Sequence, residues 1–275
     1  MKTLLILLLV ILALLLLWCL LLIPRRNQSG WDKLENVRYA HRGLHDMKQG
    51  IPENSLTAFH RAVESGFGAE LDVHLMADGN LAVVHDRDLS RVCGKSAVIE
   101  ELTLSDLPDY PLKGNGETIP LLSDVLALFG DRAPLIIELK AEHGNYNALT
   151  DKVMELLSDW KGTYCIESFH PAVLLRLKKR YPAVIRGQLS ENFLRGSDAG
   201  KLSWPGRAVL TLLLTTFFTR PDFIAYNYKD RSCASLRLMK HLYGVREVGW
   251  TIRSPQILEA LEQEGVMPIF EGFTP

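Results

Sequence analysis

Ala69-Glu70-Leu71-Asp72-Val73 is the stretch whose reading decides the fold. On a strand, alternate side chains share a face, so Glu70 and Asp72 point one way and Leu71 and Val73 the other. Two carboxylates roughly 6–7 Å apart on one strand face repel each other unless a cation lies between them. Mg2+ and Ca2+ both take oxygen ligands, so a hard divalent cation is the natural occupant. In a closed barrel the aliphatic pair meets the surrounding helices and the acids face the barrel mouth. Two exposed acids on an edge strand are the alternative, and so apolar a context disfavours it.

Ile136-Ile137-Glu138-Leu139-Lys140 repeats the pattern. Glu138 and Lys140 share a face, with Leu139 opposite. Charges on an apolar central strand are costly unless paired or metal-bound. Glu138 completes a set of three acids, and Lys140 is placed to hold a phosphate. A strand-end salt bridge is the simpler use of the same pair.

Two histidines fall where strands end: His41 in His41-Arg42-Gly43, and His85 in His85-Asp86. Barrel enzymes keep their chemistry at the C-terminal ends of strands. An imidazole pair flanking a scissile bond supplies one general base and one general acid. Arg42 brings a planar fork suited to phosphate oxygens. A single histidine here would more often be structural. Two histidines, an arginine and three carboxylates at predicted strand ends argue for a site.

Around these stretches, short apolar runs alternate with amphipathic ones. Strands are expected at 37–40, 69–75, 81–85, 134–140, 163–169, 184–189, 222–228, 247–252 and 267–270. Helices are expected at 55–65, 121–129, 146–160, 171–180, 232–242 and 255–264. Such alternation implies parallel strands joined by βαβ crossovers. Eight strands, with an extra pairing near 81–85, fit an α/β fold of the (β/α)8 barrel type better than an open doubly wound sheet. No G-x-G-x-x-G or Walker sequence supports a nucleotide fold. Asn54 is expected to cap the helix carrying Leu56, Ala58, Phe59, Ala62 and Val63, and Gly66 to close it. Ser254-Pro255 reads as a cap followed by proline at the first helical position. Residues 191–220 are unusual, because 206–218 is strongly apolar. A barrel helix is the first reading and an interfacial helix on a bilayer the second.

The chain has 275 residues and a formal net charge of −1, with no basic arm or stripe, which argues against nucleic acid as a partner. Cys19, Cys93, Cys165 and Cys233 lack metal-binding or disulfide-framework spacing and lean towards a reducing compartment. Residues 4–23 form an unbroken apolar run long enough to span a bilayer. The run ends Leu22-Ile23-Pro24-Arg25-Arg26 without a small-residue cleavage site, which favours an uncleaved anchor over a signal peptide. The expected organisation is an anchor at 1–26, a linker at 27–36 and a barrel domain at 37–275. Arg25, Arg26 and Lys33 against Lys2 lean slightly towards a single-pass cell-membrane protein with its barrel in the cytoplasm.

His41-Arg42-Gly43, Pro52-Glu53-Asn54-Ser55 with Ala58-Phe59, Glu70-Leu71-Asp72-Val73, Asp78-Gly79, His85-Asp86 and Arg91 occur in that order. Ile119-Pro120-Leu121-Leu122, Ile137-Glu138-Leu139-Lys140, Ser168-Phe169 and Trp250-Thr251-Ile252 follow. Together they resemble the signature of the glycerophosphodiester phosphodiesterase family. The resemblance implies a (β/α)8 barrel and hydrolysis of glycerophosphodiesters to glycerol phosphate and an alcohol. It makes Glu70, Asp72 and Glu138 ligands of one divalent cation, Mg2+ or Ca2+. It makes His41 and His85 the acid–base pair, and Arg42 and Lys140 the phosphate contacts. It puts Glu53 near the metal, outside the ligand set. His45, His74 and His143 receive no task, and Asp78 and Asp86 are expected to hold loops.

Two stretches depart from the family pattern. The family ends near Gly-Val-Asp-Gly, where this chain reads Gly265-Val266-Met267-Pro268-Ile269-Phe270-Glu271, so an irregular last strand is expected. Residues 191–220 are not a family signature. With the anchor, they bring long-chain lysophospholipids into consideration as substrates, a lysophospholipase D activity. A non-catalytic membrane-anchored barrel that binds glycerophosphodiesters is the third reading, disfavoured because every expected catalytic position is filled.

Overall fold

The computed structural model describes residues 1–25, 29–195 and 202–275. Arg26, positions 27–28 of the expected linker and positions 196–201 of the 191–220 stretch lie outside the described residues.

The chain opens with α1 (Lys2–Leu21), long and apolar enough to cross a membrane. Strand β1 (Tyr39–His41) leads to α2 (Leu56–Glu64) and β2 (Gly68–Leu75). A short β3 (Leu81–Val83) turns back on β2, followed by α3 (Ser90–Cys93) and α4 (Leu122–Phe129). Then come β4 (Leu135–Leu139), α5 (Tyr146–Leu157), β5 (Tyr164–Ser168), α6 (Pro171–Arg180) and β6 (Arg186–Ser190). Helices α7 (Trp204–Thr211) and α8 (Thr216–Thr219) precede β7 (Phe223–Asn227) and α9 (Ala234–Tyr243). The chain finishes with β8 (Arg246–Ile252), α10 (Pro255–Gln263) and β9 (Met267–Phe270).

Strands pair in parallel in the order β1-β2-β4-β5-β6-β7-β8-β9, and β9 pairs back to β1, closing an eight-stranded barrel. The antiparallel β3 on β2 is the extra pairing expected near 81–85. The last strand is regular against β1; its irregularity lies in a register shift against β8 between Gly249 and Ile252.

Alternation sorts the side chains as the sequence implies. Leu71, Val73, Ile137 and Leu139 face outward and pack with Phe59, Leu126 and Phe129 from α2 and α4. Phe59 and Phe129 meet edge to face at 6.1 Å. Facing inward, Tyr39, Ile136, Cys165, Phe223 and Ile269 fill the lower barrel. Trp31 closes that lower end, 5.3 Å from the Phe223 ring. With the bottom filled by apolar groups, the polar inward positions are left at the C-terminal mouth.

The apolar 206–218 stretch is not one helix. Leu213 takes φ +57°, which ends α7 and restarts the chain as the short α8. The helix expected at 55–65 begins one residue later, because Ser55 is its cap and accepts from Ala58 N at 3.1 Å.

Phe129→Ala is expected to cost about 3–5 kcal/mol, the usual range for a buried aromatic, read by denaturant unfolding. A loss under about 1 kcal/mol would contradict the packing of the helix layer on the sheet.

Candidate active site

Strand pairing brings the acids together. Register sets His41 beside Glu70, Asp72 beside Glu138, and Glu138 beside Glu167. Glu70, Asp72 and Glu138 are buried, and each offers an oxygen within 4.8 Å of the others. Lys140 Nζ lies 3.0 Å from Asp72 and 2.9 Å from Glu138. Arg42 Nε is 3.3 Å from Asp72, and Arg42 Nη1 donates to Glu53 at 2.7 Å.

The electrostatics follow from this crowding. Burial, then the Asp72 and Glu138 carboxylates, push Glu70 well above its ordinary pKa. Burial also raises Asp72, but Lys140 and Arg42 outweigh it and hold that carboxyl well below the usual range. Burial lifts Glu138 and Glu167 as well. Arg42 and Lys140 offset only part of the charge that Glu70, Asp72, Glu138 and Glu167 carry when ionised. An all-oxygen donor set with an acid that resists ionisation in the cation's absence fits a hard metal.

Each histidine is held at Nδ1 by a carboxylate. His41 Nδ1 lies 2.8 Å from Glu271 Oε2, and His85 Nδ1 lies 2.7 Å from Asp86 Oδ1. A carboxylate accepts, so Nδ1 carries the proton and Nε2 keeps its lone pair for the site. Burial pushes the His85 pKa down to about 4 and also lowers that of His41. His41 Nε2 is 3.8 Å from Glu70. Local backbone allows this: Arg42 and Gly43 both take positive φ, at +55° and +80°. A Cβ at Gly43 would come within 2.9 Å of Ala58, so only glycine lets the chain turn against α2 here. Phe169 and Trp250, 5.7 Å apart and edge to face, complete the wall of the mouth with Leu189.

The profile of the Glycerophosphoryl diester phosphodiesterase family matches residues 41–273. The chain belongs to this family. Its phosphodiesterase relatives include the Glycerophosphodiester phosphodiesterase of Bacillus altitudinis, 32% identical over 58% of this chain and 69% of the relative. A Lysophospholipase D of Rattus norvegicus is 34% identical over 40% of this chain and 38% of its own length. The fold is also that of an Oleispira antarctica phosphodiesterase solved with its product sn-glycerol-3-phosphate. That structure has a TM-score of 0.69 and 22% identity, covering 86% of this chain and 93% of the other.

Against the family signature, all eight expected site positions gather at one end of the barrel, with Glu53 behind Arg42 rather than among the acids. Four further residues were missed. Glu271 follows the last strand and reaches back to His41 across 230 positions of sequence. Glu167 is fully enclosed beside Glu138, and its Oε2 has no partner among the described residues. Asn54, expected as a helix cap, takes φ +53° and donates Nδ2 to Asp72 at 2.9 Å. His74 Nε2 sits 3.2 Å from the His85 carbonyl, and its Nδ1 is 2.6 Å from Glu100. Asp86, expected only to hold a loop, also orients His85 and pairs with Arg91. Asp78 does hold its loop, accepting from Leu104 N at 2.7 Å.

Glu271→Gln is expected to lower kcat roughly 10-fold or more with little change in KM, by freeing the His41 ring. An unchanged kcat would show that Glu271 does not position it. A second expectation concerns acid. Burial opposes ionisation of Glu53, but Arg91 and Arg42 hold its pKa at about 2 against an ordinary 4.5. The unfolded chain therefore takes up the proton first, and this contribution is lost as pH falls from about 4.5 towards 2. Glu53→Gln should remove about 3 kcal/mol of that acid dependence, measured by unfolding at successive pH values.

Proposed function

We propose that this chain is a membrane-anchored, metal-dependent phosphodiesterase that hydrolyses glycerophosphodiesters to glycerol phosphate and an alcohol. The observation that carries the reading is the convergence of Glu70, Asp72 and Glu138 within 4.8 Å, with His41 and His85 each oriented by a carboxylate. These three acids would hold one divalent cation, Mg2+ or Ca2+, which supplies Lewis-acid polarisation of the phosphate oxygens. Arg42 and Lys140 carry the fixed positive charge beside it and take the remaining phosphate oxygens. One imidazole, neutral, accepts the proton of the attacking hydroxyl at Nε2; the other enters the step as the imidazolium and gives its Nε2 proton to the leaving alcohol. The nucleophile is water or the glycerol 2-hydroxyl, the latter passing through a cyclic phosphate. Glu53 steadies Arg42 from behind. Residues 1–26 serve as the anchor, 27–36 as the linker and 37–275 as the catalytic barrel.

A second reading has specific support. Phe169 and Trp250 offer an apolar wall beside the acids, and α1 has the length and composition to reach a bilayer. A lysophospholipase D acting on long-chain lysophospholipids uses the same chemistry with a lipid-borne substrate, as the name of the Rattus norvegicus relative also has it. Parallel assays of glycerophosphocholine and a long-chain lysophosphatidylcholine separate the two.

Turnover of the preferred substrate is expected to stop in chelator and return on adding Mg2+ or Ca2+. His41→Ala and His85→Ala should each lower kcat by about 100-fold or more, with the thermal melt unchanged. Near-normal turnover in both variants overturns the acid–base assignment. Tight binding without turnover by the metal-loaded chain would support a binding barrel instead.

A further inference from the structure

The end of α1 is fixed to the barrel. Trp18 Nε1 donates to Ser235 Oγ at 3.3 Å, and Tyr243 OH donates to the Cys19 carbonyl at 2.7 Å. Arg220 Nη1 donates to the Ile23 carbonyl, and Arg25 N donates to the Pro221 carbonyl at 3.0 Å. Leu22 is buried among Leu213, Leu236 and Met239. The apolar helix therefore leaves from the layer formed by α8 and α9.

The same side of the barrel exposes large apolar groups. Trp204 is 71% exposed and Phe218 61%, with Leu202, Val209 and Phe217 also exposed. They belong to the connection between β6 and β7. Ser190 Oγ donates to the Leu210 carbonyl at 2.9 Å, and Tyr226 OH to the Thr211 carbonyl at 3.0 Å. Ser190 ends β6 and Tyr226 is one residue from the end of β7, so α7 stands over the C-terminal ends of those strands, at the rim of the mouth. Phe217 and Phe218 lie at the other end of the barrel wall: Arg186, the first residue of β6, donates from Nε to the Thr219 carbonyl at 3.1 Å, and Lys178 Nζ in the last turn of α6 donates to the Phe218 carbonyl at 2.7 Å.

We propose that residues 202–210 seat this rim in a phospholipid surface beside α1, so that one edge of the active-site mouth meets the bilayer. The inference rests on the reading of α1 as a membrane anchor. Two features favour lipid over a protein partner: α7 runs into Leu213 and Leu214, which pack with Trp18 and Leu22 at the end of the apolar α1, and an exposed tryptophan, Trp204, stands at its start. The mouth then receives a substrate already held in the membrane by its acyl chain, with the phosphodiester at headgroup level and the three acids below it.

The full chain, reconstituted in nanodiscs of phosphatidylcholine with phosphatidylglycerol, tests this. Alkaline carbonate extraction comes first: if the chain leaves the bilayer, the anchor reading fails and this inference with it. If it stays, quenching by brominated phosphatidylcholine is compared between the native chain and Trp204→Tyr. The expected result is loss of roughly half of the lipid-quenchable emission in the variant, with Trp18 supplying the rest. Quenching of Trp204 by aqueous acrylamide and not by bromolipid overturns the inference and leaves the anchor standing. Shielding from both quenchers marks a protein-covered patch and also overturns it. As a second readout, Trp204→Ser combined with Leu202→Ser should reduce hydrolysis of bilayer lysophospholipid at least 10-fold relative to soluble glycerophosphocholine. Equal effects on both substrates would contradict the proposal.

Discussion

Like charges held close together in a dry place are the constraint that organises this molecule. Glu70 and Asp72 project inward from one strand, and Glu138 stands beside Asp72 on the next. Neighbouring strands are only about 4.8 Å apart, so the acids cannot relax away from one another without breaking the sheet. Water cannot screen them, because all three are buried. Lys140 and Arg42 answer part of the repulsion, which is why Asp72 ionises easily while Glu70 resists. The outward aliphatic layer, Leu71, Val73, Ile137 and Leu139 against the helices, supplies the burial energy that keeps such a centre folded.

Around this centre runs a belt of paired charges that ties separate loops to one another. Arg42 meets Glu53, Glu53 meets Arg91, Arg91 meets Asp86, and Asp86 orients His85. On the other side Glu271 orients His41 and is held in turn by Arg253 at 2.9 Å. His74 braces the His85 backbone from beneath. Each imidazole thus has a fixed tautomer and a fixed direction: the neutral ring accepts a proton at Nε2, and the imidazolium so formed can give it up there.

The barrel and the three acids were legible because both depend on local periodicity. Alternation along 69–75 and 136–140 is enough to say which groups share a face, and the alternation of strands and helices then closes the sheet. Glu271 was not legible, since no short-range pattern links a residue after the last strand to one at the end of the first. Glu167 stands on a strand whose other inward residue within the run is Cys165, so nothing local marked it as part of a charged centre. By residue type alone Asn54 reads as a cap. The positive φ that asparagine tolerates instead turns its amide towards Asp72 and leaves the capping to Ser55. Composition likewise favours one apolar helix at 206–218, whereas the chain breaks at Leu213, which packs against Leu22 at the end of α1 and Leu236 and Met239 of α9.

Anomalous diffraction from crystals soaked in Mn2+, which takes the same oxygen ligands as Mg2+, locates a bound ion directly. The expected result is a single strong peak between Glu70, Asp72 and Glu138, absent in crystals of Asp72→Asn. A protein with intact barrel density and no peak among those three carboxylates, or a peak at another place in the fold, would contradict the reading of the buried acids as one metal centre.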